Sequence, residues 1–239
     1  MNTSSLIAAN AARWAKARVT RTGCDSVAKR LVGAKARYKE IEKATGVPWF
    51  IIAVIHERES GQDFTKQLAQ GDPLNKVSTH VPKGRGPFLN HRDDLPNRDA
   101  FYRGALDALI DCAPYAAKWK DWSPGGAMTL LEQYNGLGYA NKGRPSPYVW
   151  SGTDQYVSGK YVADGVYSAT AVDQQLGCAG LVLAMQKLDP SIKFGAPTAA
   201  VPTIPAPKPT PAPVPAPVKP SLANTINIII NAILGLFKR

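Results

Sequence analysis

Two carboxylates, Glu57 and Glu59, close an apolar run that starts at Pro48 and reads Trp49, Phe50, Ile51, Ile52, Ala53, Val54 and Ile55 before His56. Such a run predicts a short helix buried on most sides, with Gly46 ending the helix before it and Pro48 fitting its first turn. On a 3.6-residue period Glu59 falls in line with Ile51 and Ile55, while Glu57 lies off that line. A carboxyl held against apolar walls loses hydration in its charged form, so its pKa rises and it keeps a proton near neutral pH. A general acid needs that property. The alternative for Glu59 is an ordinary helix-end carboxylate paired with Arg58 or another cation.

Rival chemistries find less support. His56, His80 and His91 are the only histidines, and neither a His-Glu-x-x-His motif nor a cysteine pair accompanies them, so no metal or cofactor is expected. Cys24, Cys112 and Cys178 are odd in number and sit in or beside helix-like segments. They read as small buried residues or free thiols, neither a disulfide framework nor an activated nucleophile. No glycine-rich phosphate loop follows a strand.

The surrounding elements must present the glutamate. A basic, Ala-rich helix is expected from Ser4 to about Arg21. A second should start at an Asp25 cap and carry Val27, Leu31, Ala34, Tyr38 and Ile41 to a stop at Gly46. Residues 61 to 98 lose all periodicity, and an irregular segment of that length inside a domain is usually functional. Helical spacing returns at Phe101 to Ile110, then from a Ser123-Pro124 cap through Tyr134. A second irregular, aromatic segment is expected from Asn135 to Tyr167. A last helix is expected from Ala169 to Leu188, apolar at Val172, Leu176, Leu183 and Leu188. Tyr139, Tyr148, Trp150, Tyr156 and Tyr161 could stack on sugar rings, with Tyr148 and Trp150 partly exposed after Pro147. A satellite apolar cluster is the competing reading of the same five aromatics.

The fold class expected is mainly α: a helical domain with long irregular cleft-lining loops, then a Pro-rich linker and an amphipathic helix. The expected segments are 1–45, basic helices packed on or preceding the domain; 46–194, the catalytic domain; 195–220, the linker; and 221–239, the terminal helix. Residues 196 to 220 hold ten of the twenty prolines, a spacer of order 75 Å if extended at roughly 3.1 Å per residue. Leu222 to Phe237 is apolar apart from Thr225 and a stripe of Asn224, Asn227 and Asn231. As a helix it would span roughly 24 Å, short of a ~30 Å hydrocarbon core, which favours lying at a membrane interface over crossing it.

Net charge is +11, distributed unevenly: ten Lys/Arg against three Asp/Glu in residues 1 to 45, fifteen of each in 46 to 194, and four basic with no acidic residues beyond. Basic flanks on a balanced centre suit an extended anionic partner, whether a cell wall, an anionic membrane surface or, from charge alone, nucleic acid, with solubility as the competing reading. Nucleic acid is not expected, because no reading helix accompanies the charge and the carboxylate site would go unexplained. The N-terminus lacks an early Lys/Arg and a continuous apolar core, so it does not read as a secretory signal.

Ile55 to Ser60 resembles the Glu-Ser signature that ends the core helix of soluble lytic transglycosylases and goose-type lysozymes. Gln133-Tyr134-Asn135-Gly136 is similar to the Tyr-Asn motif that those families place across the cleft. The fuller run, with Gln70-Gly71-Asp72-Pro73-Leu74 and His80-Val81-Pro82, resembles a phage and prophage group of lysozyme-family proteins, over about residues 38 to 190. The resemblance implies an endolysin-type muramidase that cleaves the β-1,4 bond between N-acetylmuramic acid and N-acetylglucosamine in bacterial peptidoglycan. It would be made in a host cytoplasm and act at the wall after release, or be carried in a virion. Glu59 would protonate the glycosidic oxygen, and Ser60, Tyr134 and Asn135 would position sugar and carboxyl. An oxocarbenium-like transition state also needs a counter-charge or a held water on the opposite face. Asp72 is the candidate, its bland alternative being a turn whose aspartate satisfies its own backbone. Thr79 departs from the spacing of a water-holding threonine. A lytic transglycosylase with one catalytic glutamate, or a degenerate non-enzymatic wall-binding module, are the alternatives.

Overall fold

Gly46 adopts the left-handed conformation (φ 73°) and accepts the end of α3 (Lys35–Thr45), its N–H returning to the Glu42 carbonyl. Two residues later Pro48 opens α4 (Trp49–Ser60). In the computed structural model, which describes residues 2–196, every α4 residue from Trp49 to His56 is buried. The helix packs against α2 (Gly23–Gly33), α3 and α9 (Cys178–Leu188). Burying Ile51, Ile52 and Ile55 completely contributes roughly 1.5–3 kcal/mol each, enough to fix its axis. Gly61 ends it in the left-handed region (φ 64°).

The architecture is mainly helical, with one two-stranded sheet among the described residues. α1 (Thr3–Trp14) lies on α6 (Pro124–Tyr134), close enough that a Cβ on Gly125 would come 2.5 Å from the Ile7 carbonyl. Residues 1–45 are integral to the domain, since Cys24, Ala28, Leu31, Tyr38 and Ile41 all enter the same core as α4. α5 (Ala100–Leu106) is capped by Asp99 and runs on through a wider π turn, Asp107–Asp111. Ser123 caps α6, its hydroxyl accepting from the Gly126 N–H at 3.1 Å. The irregular stretch expected over 61 to 98 contains neither helix nor strand.

Three expectations are corrected. The single helix expected from Asp25 to Gly46 is two, α2 and α3, broken at Gly33-Ala34, where glycine's low helix propensity lets the chain turn. Asp25 lies in the first turn of α2 while Thr22 precedes the helix. The segment 135 to 167 is more ordered than expected. It holds two one-turn helices, α7 (Gly138–Asn141) and α8 (Pro147–Trp150), and most of an antiparallel hairpin, β1 (Lys160–Ala163) with β2 (Val166–Ser168). The last helix begins nine residues later than expected, at Cys178, and buries Leu181, Val182 and Met185, leaving Val172 and Leu188 exposed. The backbone before it is diverted: the Asp173 N–H is taken by the Tyr156 hydroxyl, and its carbonyl by Arg21 and Ser151. Apart from Gly195 and Ala196, the expected linker lies outside the described residues, as does the whole terminal helix. Among the described residues no helix is long and apolar enough to cross a membrane.

Candidate functional site

Glu59 sits one turn beyond Ile55 on the buried face of α4, largely sheltered but not sealed. Its Oε1 accepts a hydrogen bond from the Tyr148 hydroxyl at 2.8 Å. Burial pushes its pKa up to about 7, with the Tyr148 hydrogen bond and the Arg58 charge only partly opposing the rise. It therefore divides its time between acid and carboxylate near neutrality, as a proton donor that must later take a proton back should. Arg58 is not its ion-pair partner. That guanidinium lies 4.8 Å from the Tyr148 ring centroid and bonds Asp173 Oδ2 at 3.1 Å and the Leu176 carbonyl at 3.2 Å. Glu57, off the line, faces Arg30 at 3.4 Å.

Tyr148 and Trp150 were expected to be partly exposed sugar platforms, and both are buried, at 4% and 0% exposure. The one-turn helix α8 that carries them is tucked under α9, where a Cβ on Gly177 would come 2.5 Å from the Val149 carbonyl. Tyr148 holds the acid instead of the sugar. Tyr134 is half-buried, and its hydroxyl donates to the Leu68 carbonyl at 3.1 Å. Burial first, and then the nearby Glu59 charge, raise its pKa well above that of a free phenol, so it stands beside the acid as a neutral group. Asn135 is exposed at the C-cap of α6 and lines a cavity of about 290 Å³ with Gly136, Gly138, Tyr139 and Tyr161. The Tyr161 ring lies where a Gly138 side chain would be, 3.2 Å from a built Cβ. A cavity of about 580 Å³ around Phe64, Leu74 and Phe101 includes none of the expected site residues.

Ser60 turns its hydroxyl back to the His56 carbonyl at 3.1 Å, a bond within the helix. Asp72 has the bland role. Its Oδ2 accepts the Thr79 and His80 N–H groups at 2.7 and 3.0 Å, and its Oδ1 lies 2.7 Å from His80 Nδ1. These bonds, that of the His80 N–H foremost, hold its pKa below the usual aspartate range. A carboxylate engaged in this way stays ionised and is a weak base, and its bonds close its own loop. The loop itself matters to the acid: Gly71, in the left-handed region at φ 73°, passes so close that a Cβ there would come 2.5 Å from the Glu59 carbonyl.

Two features lay beyond the sequence reading. His56 is fully buried, with Nδ1 3.0 Å from the Tyr38 hydroxyl and Nε2 3.1 Å from the Asp63 carbonyl. The carbonyl requires an Nε2–H, and burial disfavours a second proton on the ring, so Nδ1 accepts from the Tyr38 hydroxyl. Burial lowers its pKa to about 4. Glu132 is a second buried carboxyl, 1% exposed, raised by burial to about 7, with neither oxygen closing a well-aligned bond. Its place in the apolar run of α6 was the available signal. Glu132 is sealed from solvent, whereas Glu59 keeps partial exposure.

Among the described residues no three His, Cys, Asp or Glu side chains converge as a metal site requires. The three cysteines are unpaired and buried, and burial pushes the Cys112 and Cys178 thiols up to about 11 and 12, away from reactive thiolate. Set against protein-family models, curated proteins and solved structures, the chain gives no match in any of the three.

Proposed function

We propose that the chain is a glycosidase acting on bacterial peptidoglycan, with Glu59 as its general acid. The observation that carries the proposal is the state of Glu59: a partly exposed carboxyl at the end of a buried helix, its pKa raised to about 7, held by the Tyr148 hydroxyl. In this reading Glu59 gives its proton to the bridging oxygen as the C1–O bond breaks, and the aglycone leaves as an alcohol. The cavity at Asn135, Tyr139 and Tyr161 supplies polar and aromatic surface for an adjoining sugar.

One observation favours a second form of the same chemistry. Asp72, the candidate second carboxylate, spends its oxygens on its own loop, which leaves it poorly disposed to hold a water across the ring. A single-glutamate route needs none. After protonating the leaving group, the Glu59 carboxylate would take the proton of the muramic 6-hydroxyl as that oxygen attacks C1, closing a 1,6-anhydro ring and restoring the acid. The wall-binding module without activity remains the non-enzymatic rival.

Purified peptidoglycan incubated with the full chain is the test, read by turbidity and by product mass. Turbidity should fall for the wild type and not for Glu59→Gln. Anhydro ends would assign the single-glutamate route, and reducing muramic ends would assign hydrolysis. Equal activity in both proteins would remove Glu59 from the mechanism, and none in either would favour the binding module.

A further inference from the structure

Asp173 is, after Glu132, the most buried carboxylate among the described residues, and it makes no contact with Glu59. Its side chain is 5% exposed, and it faces two cations, Arg58 at 3.1 Å and Lys160 at 3.0 Å. The backbone of the same residue is held by Tyr156, Arg21 and Ser151. Burial opposes its charge, yet Arg58 and Lys160 outweigh burial and keep it ionised. A buried ion pair seldom repays its desolvation, so this one is weak as a device for stability alone. Its geometry points elsewhere. Arg58, whose side chain is 7% exposed, is held by Asp173 with its guanidinium 4.8 Å from the Tyr148 ring centroid, and the Tyr148 hydroxyl donates a hydrogen bond to Glu59.

We propose that Asp173 is a positioning residue for Glu59: by anchoring and neutralising Arg58, it keeps the Arg58 charge from stripping the Glu59 proton. The inference rests on the glycosidase reading only for what the proton is used for. Among the described residues Arg58 is the cation whose charge acts on Glu59. The other titratable groups facing the carboxyl are the Tyr148 phenol from α8, the Tyr134 phenol from α6 and the Cys178 thiol from α9, all neutral near pH 7. The Asp173 charge is thus the nearest negative counterweight to Arg58. Lys160, at the start of β1, offsets part of that counterweight, and it precedes Tyr161 in the cavity wall.

The two partners of Asp173 give opposite expectations. Asp173→Asn leaves Arg58 without its counter-charge, so the Glu59 carboxylate is favoured and its midpoint falls by about one unit. Lys160→Met frees the full Asp173 charge to act on Arg58, and the midpoint rises by some tenths of a unit. The Glu59 carboxyl is titrated directly in the full chain by ¹³C NMR, its signal assigned as the one lost in Glu59→Gln. An unmoved or raised midpoint in Asp173→Asn overturns the inference. If that variant does not fold, an unmoved or lowered midpoint in Lys160→Met overturns it. An ion pair that served the fold alone would leave the Glu59 midpoint unmoved in both variants. Midpoints that move as expected in a protein that leaves peptidoglycan intact would sink the glycosidase reading and leave the role of Asp173 standing.

Discussion

A buried carboxyl that ionises reluctantly should weaken the fold, and Glu59→Gln measures by how much. The folded-state pKa is about 7 against an ordinary 4.5, a raised value. The unfolded chain therefore loses the Glu59 proton first as pH rises. Stability attributable to the protonated group is fully present below about pH 4.5, declines through the window up to 7, and is lost above it. The difference of 2.5 pKa units, at about 1.4 kcal/mol each, amounts to roughly 3 kcal/mol. Gln has the same shape, cannot ionise, and still offers an oxygen to the Tyr148 hydroxyl. Relative to wild type, the variant should thus gain about 3 kcal/mol more at pH 8 than at pH 4. With an m-value of about 2 kcal/mol/M, that displaces the urea midpoint by roughly 1.5 M. Urea unfolding followed by tryptophan fluorescence at the two pH values is sufficient. The same Gln-minus-Glu difference at both pH values would refute the reasoning, because it would mean that Glu59 is not sheltered. A stability gain coupled to lost activity is the usual signature of a catalytic group held in an unfavourable place.

Tyr148→Phe removes one hydrogen bond to the charged form of Glu59, which should raise its midpoint by about one to two units and carry the upper limb of the pH–activity profile with it; an unchanged limb would count against the contact. Gly71→Ala puts a Cβ on the Glu59 carbonyl and in the left-handed region, for an expected loss of about 2–3 kcal/mol in thermal unfolding. Gly61→Ala, at φ 64° with open space around it, should lose only about 1, and equal losses would deny the close approach. The His56 ring should stay neutral, protonated at Nε2 alone, when ¹H–¹⁵N spectra are taken at pH 5.5. A doubly protonated ring there would contradict its burial.

Much of α4 is legible in the chain because the signals are local: a left-handed glycine, a proline two residues on, and a run too apolar to face water. The facing of Glu59 follows from the same period. What surrounds it is not local. The Tyr148 contact spans 89 positions, and Arg58 meets Asp173 across 115, so neither can be read from spacing. Tyr148 and Trp150 look like surface aromatics because Pro147 precedes them, but α9 packs over that turn. Asp72 has the flanking Gly and Pro of a sharp turn, and only three dimensions show that Thr79 and His80 close on it. The hairpin escapes notice for a different reason: Val162 and Val166 are 55% and 53% exposed, so no buried face imposes alternation on its sequence.

The aromatic contacts at the far end of α4 bear on the order in which the molecule is made. Phe50 stands 5.3 Å from Phe194, which lies 4.9 Å from Trp14, so the first helix, the acid helix and the last described segment meet at one point. Gly195 adds a backbone bond to the Trp122 carbonyl beside it. During synthesis, α4 leaves the ribosome long before Phe194 does. The surroundings of the helix that carries Glu59 are completed only when nearly the whole domain has been translated, so its packing is finished late in synthesis.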